Sequence, residues 1–173
     1  ISQLSGEPAL IDLAATLEQA CTLERIGADE DFDVIDGCAG LSYGLQALYR
    51  IAPTPLRRDK LHACGRRLLK GRLEGLAGVS SWRTRMGPTP LVGMAHGAAG
   101  IAHALSRLAA TTGEARYLEV ARAAMGYERQ MYDPVARDWP DLRNPASPRF
   151  VNTWCTGAAG IGLARVSTLQ WHD

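Results

Sequence analysis

Gly93-Met94-Ala95-His96-Gly97-Ala98-Ala99-Gly100-Ile101 is a glycine-rich turn that presents one histidine and runs directly into an apolar segment. Two relatives flank it. Asp36-Gly37-Cys38-Ala39-Gly40-Leu41 lies upstream, and Thr156-Gly157-Ala158-Ala159-Gly160-Ile161 lies downstream. Gly37, Gly97 and Gly157 stand 60 residues apart, and Gly40, Gly100 and Gly160 keep the same register. So do Ala39, Ala99 and Ala159, and the aliphatics Leu41, Ile101 and Ile161. A fixed period of this length marks a repeat architecture, whose units cannot bury their apolar faces alone.

Each period reads as glycine turn, apolar helix, short break, amphipathic helix and loop. The apolar helices are expected over 38–50, over 98–110, and from Gly157 through Ile161, Leu163, Ala164 and Val166. The amphipathic ones are expected over 56–77, on Leu61, Cys64, Leu68, Leu69, Leu73 and Leu76, and after Gly113. On the latter, Tyr117, Val120, Ala124, Tyr127 and Met131 form one stripe. A further amphipathic helix is expected over 8–25, and no segment reads as a strand. A helix apolar nearly all round belongs inside, and one with a charged face outside. The pattern therefore predicts an all-α fold, with inner and outer helices stacked as a double-layered ring or open solenoid. The glycine turns then share one face, at the N-terminal ends of the inner helices. Glycine suits them on two counts: positive φ, and close packing that leaves no space for a Cβ.

The composition sets bounds on function. The chain has 173 residues, 46% of them hydrophobic and 21% charged, and is expected to form a single domain over 1–173. With 19 Lys+Arg against 18 Asp+Glu, its net charge of +1 gives no reason to expect nucleic acid as a partner. The basic run Arg57, Arg58, Lys60, Arg66, Arg67, Lys70 and Arg72 reads as a solvated outer helix face. No stretch approaches the roughly 20 apolar residues of a membrane span. Cys21, Cys38, Cys64 and Cys155 form no disulfide framework, which places the protein in the reducing cytoplasm. The chain opens at Ile1 without a secretory signal and reads as cut from something longer. The loop over 133–150, with Trp139, is long enough to expect a function.

Aligned on the shared glycine, the first turn carries Asp33 and Asp36, the second His96 and the third Cys155. These are residue types used for proton transfer and metal ligation, and they differ where the scaffold repeats. Each also has a structural reading. Asp36 can cap a helix and Asp33 can do so or pair locally; His96 can be a packing histidine and Cys155 a buried thiol. His103, seven residues after His96, reads as a core residue or a support behind the site. His62 lies on the basic outer helix and His172 beside the terminus.

At these residues the chain resembles the LanC-like proteins, most of all the C-terminal cyclase domain of class II lanthipeptide synthetases. The resemblance is carried by Asp33-Val34-Ile35 before the first Gly-x-x-Gly, by Ala95-His96-Gly97-Ala98-Ala99-Gly100-Ile101, and by Trp154-Cys155-Thr156-Gly157-Ala158-Ala159-Gly160-Ile161-Gly162-Leu163-Ala164-Arg165. It implies an α/α-toroid, incomplete here at about three repeats. It also implies a zinc-dependent cyclase that joins the cysteine thiols of a dehydrated precursor peptide to dehydroalanine or dehydrobutyrine. By motif, Cys155 is a zinc ligand, His96 the acid/base residue, and Asp33 the catalytic carboxylate that orients it. Two departures stand out. Thr156 replaces the His or Tyr often found after the cysteine, and the later Cys-His-Gly motif with the other two ligands is absent. The resemblance therefore predicts weak or no zinc binding by this chain alone, and a missing C-terminal segment that supplies Cys and His. An open ring also bares apolar surface, which favours self-association. The competing readings are a non-catalytic LanC-like module binding a peptide or thiol, a toroidal glycosidase, and a plain helical scaffold. The glycosidase would need opposed carboxylates, whereas Asp33 and Asp36 share a turn.

Overall fold

The computed structural model describes residues 8–147 and 149–172. Ile1 and Asp173, to which the expectations about the chain's ends attach, lie outside them. The described chain is mostly helical, with α1 (Ala9–Gln19), α2 (Leu23–Gly27), α3 (Cys38–Ile51), α4 (Pro55–Gly71), α5 (Ala98–Thr112), α6 (Ala115–Met131) and α7 (Ala158–Thr168). Helices α3, α5 and α7 pack side by side in that order, and α4 and α6 lie behind α3 and α5. The all-α inner and outer arrangement is thus observed. No helix among the described residues is long and apolar enough to cross a membrane.

Local chemistry sets the boundaries. Thr54 accepts a hydrogen bond from Arg57 N ahead of Pro55 at the start of α4, and Gly113, at φ 78, closes α5. The helix expected over 8–25 breaks at Ala20–Thr22, where Thr22 caps α2 by accepting from Arg25 N. The helix expected to reach Ala77 ends at Gly71. Beyond it, β1 (Leu73–Glu74) pairs antiparallel with β2 (Ser80–Ser81). A second two-residue ladder joins β3 (Pro140–Asp141) to β4 (Arg149–Phe150) in the long loop. The apolar spacing of Leu73 and Leu76 looked helical, but Gly71, Gly75 and Gly78 interrupt it, and Leu76 is 92% exposed.

The basic face of α4 is only partly solvated. Arg57 and Lys60 converge on Glu18 of α1 at 2.7 and 3.4 Å, and Lys60 is buried. Arg67 covers the ring of Phe32. Only Arg58, Arg66 and Lys70 of the run are exposed. A charged run on a helix says nothing by itself about a carboxylate 39 residues upstream.

The repeat is visible atom by atom. A Cβ on Gly40 would overlap the Val34 carbonyl, one on Gly100 the Met94 carbonyl, and one on Gly160 the Trp154 carbonyl. The side chain of Val34 also lies against Gly100, and that of Met94 against Gly160, so each turn seats on the next inner helix. Close approach is therefore what demands glycine. The positive φ expected of these turns is not found at their first glycines: Gly37, Gly97 and Gly157 sit at −115°, −128° and −119°, a φ any residue adopts, and there too it is the backbone crowding a Cβ that excludes a side chain.

Between α3 and α5 the contact is polar as well as apolar. The Tyr43 hydroxyl lies 2.7 Å from His103 Nδ1 and donates to the Gly100 carbonyl. Burial, with Arg107 nearby, pushes His103 down to about 4, so it is neutral. At the corresponding face of α7, Leu163 and Val166 are 53% and 69% exposed.

The close approach makes a paired prediction. Gly100→Ala should destabilise the fold by about 1–3 kcal/mol through overpacking against backbone that cannot move aside. Gly162→Ala, in α7 with nothing near its Cβ position, should stabilise by about 0.5–1 kcal/mol. Urea denaturation of the two variants measures both signs.

Candidate active site at the glycine turns

The three turns are joined through their backbones. Val34 N donates to Ala95 O at 3.0 Å, and Ala95 N donates to Cys155 O at 3.1 Å. Gly93 lies so close to Cys155 O that a side chain there would collide with it. The side chains that could do chemistry are thereby placed on adjoining turns at the N-terminal ends of α3, α5 and α7.

Asp33 is buried at 1% exposure, and each of its oxygens has work. Oδ1 accepts from Ile35 N at 3.0 Å and Asp36 N at 2.8 Å. Oδ2 lies 2.8 Å from His96 Nδ1. An ionised carboxylate only accepts hydrogen bonds, so the Nδ1 of His96 carries the proton in this pair. Nε2 is left as the ring nitrogen available to a reacting group, and the His96 side chain is 17% exposed. The arrangement is a base held in one orientation by a buried acid, with narrow access from outside.

Asp36 does not cap α3. It is exposed, with an oxygen within 4.8 Å of ligand atoms of Asp33 and His96. Asp29 takes the capping role, accepting from Cys38 N at 3.0 Å. Its spacing of nine residues from the helix start gave no local capping signal.

Cys155 reaches this region through its backbone. It is exposed, not buried as its type would suggest, and all four cysteines are free thiols. Among the described residues, Asp33, Asp36 and His96 are the group of three whose ligand atoms lie together, and Cys155 is not in it. A catalytic zinc takes three protein donors and an open position. Within this chain Cys155 stands as a single thiol, while the facing atoms of Asp33 and His96 are engaged with each other. The Cys155 thiol and the Asp33, Asp36 and His96 group do not form one set of neighbouring ligand atoms. His172 follows the far end of α7, 2.9 Å from Ser106 Oγ, and is not in the group. His62 is also remote, on α4, 3.4 Å from the Tyr117 hydroxyl.

Two contacts behind the third turn were not legible beforehand. Arg165 of α7 reaches buried Glu128 of α6 at 2.7 Å, and Trp139 of the long loop donates to the Glu128 carbonyl at 2.8 Å. At the loop's tip, Arg143 is paired with Asp141, whose carboxyl is held below the usual range by that contact.

The chain matches a protein-family model described as "Lanthionine synthetase C-like protein" over residues 1–173. No curated protein and no solved structure matches it.

Burial holds the Glu128 carboxyl up at about 7, against the opposing pull of Arg165. A carboxyl raised in the folded state contributes stability while protonated, below its ordinary 4.5, and loses it as pH climbs toward 7. Glu128→Gln should therefore gain on the wild type in urea midpoint as pH rises through that window. Parallel midpoints across the window would contradict the assignment.

Proposed function

The chain belongs to the lanthionine synthetase C-like family, and from that membership we propose that it forms part of a cyclase domain that closes thioether rings in a dehydrated precursor peptide. The observation that carries the reading is the 2.8 Å contact between Asp33 Oδ2 and His96 Nδ1. Ring closure adds a peptide cysteine sulfur to the β-carbon of a dehydroalanine or dehydrobutyrine. The electron pair of the double bond moves onto the α-carbon and its carbonyl, and the α-carbon then takes a proton. The thiol loses one proton and the α-carbon gains one, so the addition needs no oxidant or reductant.

His96 is the acid in this scheme, delivering the proton from Nε2. Asp33 holds the ring's other nitrogen, fixes its orientation and balances the charge of the protonated ring. Its two backbone donors at Oδ1 keep the carboxylate from turning away. The narrow access to His96 limits exchange of that proton with bulk water.

Zinc belongs to the proposal through Cys155, with the remaining ligands contributed by protein outside residues 1–173. When bound, zinc makes a substrate thiolate available at neutral pH. A reaction on free peptide thiols also suits a reducing compartment, and we place it in the cytoplasm.

The test is conversion of a dehydrated peptide to its cyclised form by the full-length gene product, followed by loss of alkylatable thiol. His96→Asn should lower kcat by about 10²–10⁴-fold. Asp33→Asn should lower kcat in the same direction by less, with KM little changed. Wild-type kcat in His96→Asn would remove this histidine from the reaction.

A further inference from the structure

The first turn departs from the repeat at two points, and both adjoin Asp33. In the second turn, the first helical N–H, that of Ala98, donates to the backbone carbonyl of Leu91 at 2.9 Å. The matching N–H in the first turn, that of Cys38, donates instead to the Asp29 carboxylate at 3.0 Å. The same carboxylate accepts from Phe32 N at 3.1 Å and Asp31 N at 3.3 Å. The second departure is Phe32 itself, at φ 59, a left-handed conformation that a bulky L-residue rarely adopts. Its counterparts 60 and 120 residues on, Val92 and Asn152, are not among the positive-φ residues.

Strain of this kind persists only where the surroundings over-determine it. Arg67 of α4 supplies that constraint. Its guanidinium lies 4.7 Å from the centre of the Phe32 ring, and its Nε donates to the Asp29 carbonyl. The ring also lies against Gly71, where a Cβ would overlap it. The bracket ends on Asp33, whose N–H donates to Asp31 O at 2.7 Å and whose carbonyl accepts from Gly40 N at 3.1 Å. The backbone on both sides of Asp33 is thus pinned, leaving its carboxylate to face His96.

We infer that Asp29 is a positioning residue for the proposed reaction: with Arg67 and left-handed Phe32 it forms a bracket, without counterpart in the second turn, that aims the Asp33 carboxylate at His96. The inference rests on the reading of Asp33 and His96 as the working pair. Its purpose is geometric. In the second turn Gly93 stands where Asp33 stands in the first, and a Cβ there would overlap the Cys155 carbonyl; in the third, Thr153 stands there and its hydroxyl accepts from Thr156 N as Asp33 accepts from Asp36 N. Of the three turns, the first alone carries an acid at this position, and the bracket holds the backbone of that acid in place.

The readout is the position of the neutral His96 ring proton, measured by ¹⁵N NMR of histidine-labelled full chain at about pH 8.5, above the usual histidine range. The wild type should hold the proton on Nδ1, facing Asp33. Asp33→Ala should release it toward Nε2, and Asp29→Ala should move it the same way by at least half as much. Leu45→Ala, a core truncation distant from the turn, should lose stability and leave the proton in place. A folded Asp29→Ala with the proton still on Nδ1 would overturn the proposal, as would an equal shift in Leu45→Ala. If Asp29→Ala does not fold, Arg67→Gln, which frees the Asp29 carbonyl and the Phe32 ring, must give the same shift. An unmoved proton in folded Arg67→Gln would also overturn it. Because ring closure is not measured, these outcomes refute the bracket while leaving the cyclase reading standing.

Discussion

Three carbonyls set the terms for this structure: those of Val34, Met94 and Trp154, each pressed against the second glycine of its own turn. No Cβ fits at Gly40, Gly100 or Gly160, and with those glycines in place each inner helix begins directly beneath the turn that precedes it. The next turn can then reach across, and the side chains of Val34 and Met94 seat on the following glycine. The backbone bonds Val34 N to Ala95 O and Ala95 N to Cys155 O follow from the same stacking. The site inherits its dimensions from this packing, because Asp33, His96 and Cys155 sit on segments that cannot slide past one another.

Repetition would by itself yield three identical turns, and identical turns cannot hold an acid facing a base. The asymmetry comes from taking each candidate side chain from a different position within its repeat. Asp33 matches Gly93, His96 matches Asp36, and Cys155 matches Ala95. The turn that carries the acid is also the one with a left-handed residue before it, Phe32. The third turn is steadied differently, by Arg165 reaching back to buried Glu128 while Trp139 binds the Glu128 carbonyl. The motif that carries Cys155 thus includes its own anchor ten residues further on, at Arg165.

What the sequence made legible was whatever repeats. The 60-residue period located the inner helices, their order and the common face of the turns, and it singled out Asp33 and His96, which meet at 2.8 Å. What it hid were contacts between elements that share no period. Glu18 beneath Arg57 and Lys60, and Glu128 beneath Arg165, are buried partners whose sequence separations carry no signal. Asp29 was passed over because it caps α3 from nine residues away, while Asp36, adjacent to the helix start, looked the better cap and does nothing of the kind. Periodicity also overran the end of α4, since Leu73 and Leu76 kept helical spacing after Gly71 had ended the helix.

In the proposed reaction His96 delivers the proton to the α-carbon, and the most direct measurement is ring closure in D₂O followed by analysis of the new stereocentre. The account predicts one deuterium at the α-carbon in a single configuration for the wild type. It predicts a slow product of mixed configuration for His96→Asn, as water delivers the proton from either face. A His96→Asn product of single configuration, formed at the wild-type rate, would contradict it.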